Sequence, residues 1–540
     1  MLATDDKAPV APEAPAASVE NRSILRSAGI MTLMTLVSRV LGLVREQVRA
    51  IYLGTSAASD AFGLAATIPN LFRRLFAEGA MTAAFVPIFT EYLKKAKEEE
   101  TRRFLSRFVT FLTIVVTLFT VLAIALTPWL IETFFASEFD KVPGKVELTI
   151  ALTELMWPYL ILVTLAAVMQ GVLNAHRIFG PSAFAPVLMN LAIIVCTVAF
   201  APLFPDPSYA LVVGFLVGGV LQLAFQIPFL FKQTRMRIRI DFNFRGPGVQ
   251  RVLRVMGPGV FAAGIYQFNV FFAQLIAASL DEGSVASLQY SLRLQELVLG
   301  VFVVSVTQVI LPSLSEHTAN DDHGRVRSTL AYAMRLIAFV TLPCTAGLML
   351  IAPEIVASLF QFGAFDAEST RMTADALRYH ALGLFFIGQG RVVTQAFFAY
   401  QDLKTPTYVS FVDAIVNIIL CFVLAKVMGH AGIALASTLA AIAFSGALQY
   451  LLYRRLGGGP GRELLARTGR LVLATLVMVG AMLLWRFAVD PTGLSQARLI
   501  AWVAGAMVVA GLAFFGAANV LRVNELNDLL KAVRRRFKRK

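Results

Sequence analysis

Apolar positions in this chain do not alternate with polar ones at the period of two that marks a half-buried strand. They gather into runs of about 20 residues separated by short polar segments, the length that carries a helix across a hydrocarbon core of roughly 30 Å. Strands of a membrane barrel would instead alternate over about ten residues. The pattern therefore predicts an all-α, polytopic membrane protein with about fourteen transmembrane helices. The spans fall at 25–50, 59–92, 104–135, 151–174, 182–202, 208–231, 256–280, 285–314, 328–361, 374–400, 407–428, 431–453, 468–488 and 497–521. The second, eighth and ninth exceed what a bilayer requires and should tilt, bend or project from it. Pro69 should kink the second.

The pattern repeats. Val86-Pro87-Ile88-Phe89-Thr90-Glu91 resembles Leu311-Pro312-Ser313-Leu314-Ser315-Glu316. Pro87 and Pro312, Pro128 and Pro353, and Pro181 and Pro406 each lie 225 positions apart, and Phe134-Phe135 after Pro128 matches Leu359-Phe360 after Pro353. A unit of six spans is even and preserves orientation, so the halves are parallel repeats about an axis near the membrane normal. The expected organisation is a disordered cytoplasmic tail over 1–23, a six-helix lobe over 24–232 and a basic amphipathic cytoplasmic linker over 233–255. A second six-helix lobe over 256–455, helices 13 and 14 within 456–522 and a basic cytoplasmic tail over 523–540 complete it. Two such lobes around a central cavity suggest a carrier that alternates access by rocking, although duplicated bundles also serve as channels and scaffolds.

Composition agrees with the pattern: 57% of the 540 residues are hydrophobic and only 15% charged, against roughly 25% charged in soluble chains. The net charge of +14 is distributed by side. KKAKEEETRR (94–103), the segment 232–254, YRR (453–455) and RRRFKRK (534–540) alternate with SEFDK (137–141), FPDPS (204–208), DEG (281–283) and DPTG (490–493). The basic side is expected to be cytoplasmic, with both termini on it, which requires an even number of spans. The basic loops lack interleaved aromatics, which argues against nucleic acid and for anionic lipid headgroups as their partners. The three cysteines are scattered through apolar runs and form no disulfide or metal framework. No P-loop, HExxH or nucleophile–histidine constellation occurs, so the chain is read as a transporter without a cofactor rather than an enzyme.

Ionisable residues inside spans are costly and mark function. Arg39 and Arg45 lie in the first span, Arg73 in the second and Arg293 in the eighth, so both lobes contribute. Arginine stays charged and meets phosphate oxygens with a planar fork, which points to a phosphate-bearing anionic cargo held by Arg39, Arg45, Arg73 and Arg293. The bland alternative is that all four are structurally paired: Arg293 with Glu296, and likewise Arg74 with Glu78. Arg73 has no such local carboxylate. Arg49, near the end of its span, is read as snorkelling to the interface. Arg391 in the tenth span either lines the cavity or snorkels. Asp413 and Asn417, one turn apart, and Thr438 in the next span are candidates for Na⁺ ligation or proton carriage, with a hydrogen-bonded helix contact as the competing reading.

SRVLGLVRE (38–46), SDAF (59–62), PNLFRRLFAEGA (69–80), AFVPIFTEY (84–92) and LPSLSEH (311–317) resemble the MurJ (MviN) family of lipid II flippases, within the multidrug/oligosaccharidyl-lipid/polysaccharide exporter superfamily. The resemblance runs from about residue 25 to 521 and is most specific in the first two spans. It implies movement of lipid II, the undecaprenyl-diphosphate-linked peptidoglycan precursor, from the cytoplasmic to the periplasmic leaflet of the bacterial inner membrane. It also implies cavity arginines at Arg39, Arg45, Arg73 and Arg293, an acidic residue at Asp60, a portal glutamate at Glu78 and a basic position at Arg391. Helices 13 and 14 would form a groove for the polyprenyl tail, and other cell-wall synthesis proteins are possible partners. Asp413, Asn417 and Thr438 loosely match an Na⁺ site of some relatives. This chain has Leu292 where some relatives carry an acid before the eighth-span arginine. Export of another lipid-linked oligosaccharide, or a non-transporting scaffold of the same fold, are the alternatives.

Overall fold

The structure, a computed structural model, describes residues 16–76, 80–139, 142–234, 236–458 and 461–528. Among them the chain is helical, without a strand. The helices of the first half are α1 (Ala16–Leu53), α2 (Ala57–Phe76), α3 (Ala80–Lys95), α4 (Glu98–Phe139), α5 (Lys145–Met156), α6 (Pro158–Ala175), α7 (Gly180–Phe200) and α8 (Ser208–Gln233). The second half has α9 (Pro247–Ala278), α10 (Ser284–Val298), α11 (Val304–Ala319), α12 (His323–Leu350), α13 (Ala352–Phe360), α14 (Ala367–Ala399), α15 (Lys404–Met428) and α16 (His430–Leu456). Two further helices follow, α17 (Gly461–Ala488) and α18 (Gln496–Val520).

The repeat inferred from prolines reappears in helix boundaries. Leu53 and Ala278, which end α1 and α9, are 225 positions apart, as are Glu98 and His323, which begin α4 and α12. The halves differ at one matched proline. Pro128 lies inside the continuous α4, whereas the helix is interrupted at Ile351 so that Pro353 opens α13, where its missing N–H costs no helical bond.

Eleven described segments are long and apolar enough to cross a membrane. The remaining three predicted spans are α1, α2 with α3, and α9. All three carry polar residues within the span: arginines, a glutamate, or buried glutamines such as Gln267 and Gln274. Several boundaries differ from expectation. Residues 16–23, expected in a disordered tail, are helical, and residues 1–15 lie outside the described residues. Residues 247–255, expected in the linker, belong to α9, which Pro247 starts. The remaining linker runs along α4: Arg239 N–H donates to Ser106 Oγ, Asp241 N–H to Thr110 Oγ1, and Arg107 pairs with Asp241 at 2.8 Å. Within the long second span, residues 77–79 lie outside the described residues, between α2 and α3. The eighth contains a π-helical turn at Leu299–Val303 between α10 and α11. The basic tail beyond residue 528 lies outside the described residues, while Glu525 before it pairs with Arg335 at 2.7 Å.

Phe85, Phe89, Phe104 and Phe108 stack in the core where α3 meets α4. A second core joins α10, α11, α12, α14 and α16 through Val303, Ile337, Leu384 and Leu448. Helices α17 and α18 pack on α12 through Phe339, Met478 and Phe514, outside both repeats. Their remaining faces expose Leu484, Phe487, Leu512 and Val520, as expected of helices bathed in lipid.

Candidate functional site

The polar residues of α1, α2, α7, α10 and α14 converge on two adjoining cavities of about 510 and 410 Å³. Arg45, Asn190, Arg293 and Glu296 line both, so the two form one cleft. The larger adds Arg49, Arg73 and Arg74; the smaller adds Arg39 and Arg391. All five arginines proposed from sequence thus reach the cleft, including Arg391, whose alternatives were lining or snorkelling. Helix α1 continues without interruption from Arg39 to Arg45. The bent cavity, rather than a break in the helix, brings the two to a common space.

Glu46 is the hub. Its carboxylate accepts from Arg45 Nη2 at 2.5 Å and lies 3.4 Å from Arg293 Nη2 and 3.7 Å from Arg49 Nη1. Arg45 also donates to Asn190 Oδ1 at 3.1 Å, and Asn190 Nδ2 donates to Ser38 O at 3.0 Å. Arg293 bridges Glu46 of one lobe and Glu296 of its own helix, at 3.0 Å. Leu292 faces the cleft beside it, so this arginine takes its carboxylates from Glu46 and Glu296. Arg73, for which the sequence offers no local carboxylate, donates through Nε to Asn70 Oδ1 at 2.8 Å. Arg39 lies against Gly300 in the π-helical turn. A Cβ there would collide with its guanidinium, so the absence of a side chain at 300 makes room for the cation. Among the described residues the cleft is lined by seven arginines and only two carboxylates, Glu46 and Glu296. Glu78 lies outside the described residues.

Arg49 requires a correction. Expected to snorkel, it is 5% exposed. It donates to Gln289 Oε1 at 2.8 Å and to Ser59 O at 2.9 Å, between the rings of Phe62 and Tyr290. The end of α1 just after it contacts the 361–366 segment of the other half, where Ala364 N–H donates to Ile51 O at 2.8 Å.

Asp60 also stands elsewhere than expected. It does not line the cleft; it is buried in an ion pair with Lys145 at 3.0 Å and accepts from the N–H groups of Gly283 (2.8 Å) and Ala286 (2.9 Å). It therefore caps the N-terminus of α10 from the opposite lobe, satisfying donors and dipole together. The reverse contact also exists: Glu282 accepts from Ala57 N–H at the start of α2 at 2.6 Å. Two repeat-related helices thus cap one another across the lobes. Thr55 and Ser369 hydroxyls meet at 2.8 Å, and Tyr290 donates to Gly54 O at 3.1 Å. Gly54 and Gly363 adopt positive φ and press against the backbone of Ala364 and Ile51, which admits no side chain at either position.

Of Asp413, Asn417 and Thr438, two hold protein contacts. Asn417 Nδ2 donates to Asn269 Oδ1 at 2.9 Å and Thr438 Oγ1 to Tyr379 O at 2.6 Å. Asp413 alone retains a buried carboxylate oxygen without a protein partner. No group of three or more His, Cys, Asp or Glu residues suited to a metal ion occurs among the described residues. Glu46, Asn190, Gln289, Lys145 and Glu282 were not singled out as site residues from sequence. Glu46 carried a signal, adjacency to Arg45; Lys145 and Glu282 sit at loop–helix junctions and gave none.

A cleft rich in arginine between two parallel helical repeats has the form of a multi-pass membrane transporter. The fold agrees with "Lipid II flippase MurJ, inward closed conformation" (TM-score 0.77, 24% identity, 93% of this chain and 99% of that one). It also agrees with the inward-facing conformation of a multidrug resistance MATE family transporter of the MOP superfamily (TM-score 0.64, 15% identity, 78% and 94%). The family model described as "Lipid II flippase MurJ" matches residues 49–500. The probable lipid II flippase MurJ of Vibrio cholerae is 33% identical over 93% of this chain and 96% of its own length. The lipid II flippase MurJ of Burkholderia cenocepacia is 34% identical over 89% and 94%. The chain belongs to the MurJ family of lipid II flippases.

Proposed function

We propose that this protein moves lipid II from the cytoplasmic to the periplasmic leaflet of the bacterial inner membrane by alternating access. The observation that carries this reading is the Glu46 hub: one carboxylate among three guanidinium groups in a cleft with an excess of positive charge. Such a site is neutralised by an anion brought from outside, and a diphosphate offers several oxygens to forked donors. Partial burial strengthens these contacts, although desolvating the arginines offsets part of the gain. Glu46 and Glu296 hold the arginines in place between turnovers. The reciprocal caps at Asp60 and Glu282 then form the closed periplasmic gate, and the basic ends of the helices face the cytoplasm. The polyprenyl tail stays in lipid along α17 and α18. Anionic headgroups neutralise the basic linker, and other cell-wall synthesis proteins receive the exported precursor.

Membrane potential or a cation gradient resets the carrier, with Asp413 as the group suited to take up Na⁺ or a proton. If so, Asp413→Asn abolishes gradient dependence and spares substrate binding; gradient-driven transport at the normal rate in that variant reduces Asp413 to a structural role. The function itself is tested in cells depleted of the protein, by measuring lipid II accessible from the periplasmic face. Loss of accessibility, restored by the wild type and not by Arg45→Ala or Arg73→Ala present at normal membrane levels, is the expected result. Undiminished accessibility on depletion overturns the proposal and favours a scaffold. Loss of a different lipid-linked oligosaccharide from the outer face would reassign the cargo.

A further inference from the structure

The repeat offset of 225 positions relates α9 to α1. In that register Gly42, Arg45 and Arg49 of α1 correspond to Gln267, Val270 and Gln274 of α9. The spacing of three and four residues puts each triplet on one helical face, and both faces line the cleft. The same surface of a repeated helix is therefore turned to the cargo twice. Its chemistry differs between the copies. The α1 face brings two arginines, whereas residues 255–280 contain no charged side chain and the α9 face brings two carboxamides.

These carboxamides are not used up by the fold. Gln267 and Gln274 are 7% and 8% exposed. Among the described residues Gln267 has no hydrogen-bond partner, and its Oε1 is enclosed. Gln274 Oε1 accepts from Gln289 Nε2 at 3.4 Å, and its own Nε2 donates to no described group. Neither amide nitrogen is enclosed, so both open on the cleft that the two residues line. Unmet donors on a largely buried wall favour a ligand that accepts from them. A carboxamide adds no charge to a phosphate site already rich in arginine; its N–H groups suit the hydroxyl and acetamido oxygens of a sugar. In a glycan-diphosphate lipid the sugar is joined directly to the diphosphate. A diphosphate held by Arg45 therefore brings that sugar into the cavity that Gln267 and Gln274 share with Arg45.

We infer that the repeated helices divide recognition of the cargo: the α1 arginines hold the diphosphate, and Gln267 and Gln274 of α9 donate to the sugar attached to it. The inference rests on the proposed lipid II function and assigns specificity-determining residues to the uncharged part of the head group. It is tested by measuring the affinity of the full-length protein in nanodiscs for three lipids. These are lipid II, its analogue with the sugars but no peptide, and undecaprenyl diphosphate, which has neither. Gln267→Met should weaken binding of both sugar-bearing lipids about five-fold, the worth of one hydrogen bond, and leave undecaprenyl diphosphate unchanged. Gln274→Met should show the same selectivity independently, and Arg45→Ala should weaken all three. Gln267 holds no protein hydrogen bond, so Gln267→Met should not lower the melting temperature, which separates lost recognition from lost folding. A loss confined to the peptide-bearing lipid overturns the sugar assignment. Equal losses for all three lipids, or no loss for any, overturn the role of α9. A wild-type protein that binds the three lipids equally also overturns it and leaves the lipid II reading standing. A wild-type protein that binds none of them overturns both.

Discussion

Asp60 and Glu46 are buried carboxylates in the same lobe, and their surroundings differ in one decisive respect. Asp60 meets one ammonium and two backbone N–H groups, so its charge is balanced and its acceptor capacity filled. Glu46 meets three guanidinium groups, so the region around it keeps a positive surplus. A balanced buried pair has nothing left to offer a ligand and acts on the fold or on the contact between lobes. An unbalanced one tends to recruit the opposite charge. Under the proposed function, closure falls to the Asp60 region and cargo to the Glu46 region, although sequence alone makes both acids simply intramembrane.

The largest effect is expected at the balanced site. Asp60→Asn leaves Lys145, 4% exposed, without its counter-charge, and breaking a buried pair in this way costs about 3–5 kcal/mol. Thermal unfolding in detergent should show it, and Lys145→Met should recover most of the loss in the Asp60→Asn background. No recovery would mean that the caps on α10, not the ion pair, dominate. A smaller effect is expected at Arg49. Arg49→Ala strands Gln289 and the Ser59 carbonyl, at about 1–3 kcal/mol, whereas a snorkelling arginine would be silent in the same melt. The smallest is expected at Gly300. Gly300→Ala need only push aside the flexible end of Arg39, so stability should hold while lipid II export falls modestly. Unchanged export would place Arg39 outside the transport path.

How much of this was legible follows from where each residue's partners lie. Helical spans and their repeat were readable because apolar run length and proline position are local properties. The arginines were readable because charge in an apolar run is conspicuous wherever its partner is. Arg49 was misread because its position near a helix end resembles an interfacial one; Gln289, 240 positions away, and Tyr290 beside it are what enclose it. Asp60 drew notice as an acid, but its role depends on backbone N–H groups at Gly283 and Ala286, which no side-chain pattern announces. The same holds for Glu282, whose acceptor role depends on the exposed N-terminus of α2. Thr438 was grouped with Asp413 by residue type, and its hydroxyl is instead engaged by Tyr379.

The central claim is that the unbalanced arginines bind the anionic lipid while the balanced acid does not. The most direct test is the affinity of the purified protein for lipid II in wild type, Arg45→Ala, Arg293→Ala and the Asp60→Asn/Lys145→Met double variant. Each arginine variant should bind about tenfold more weakly or worse, as expected for a lost charge-assisted contact, with its melting temperature retained. The double variant should bind with wild-type affinity. Arginine variants that bind lipid II as tightly as the wild type, or a double variant that loses binding while remaining folded, would contradict the assignment.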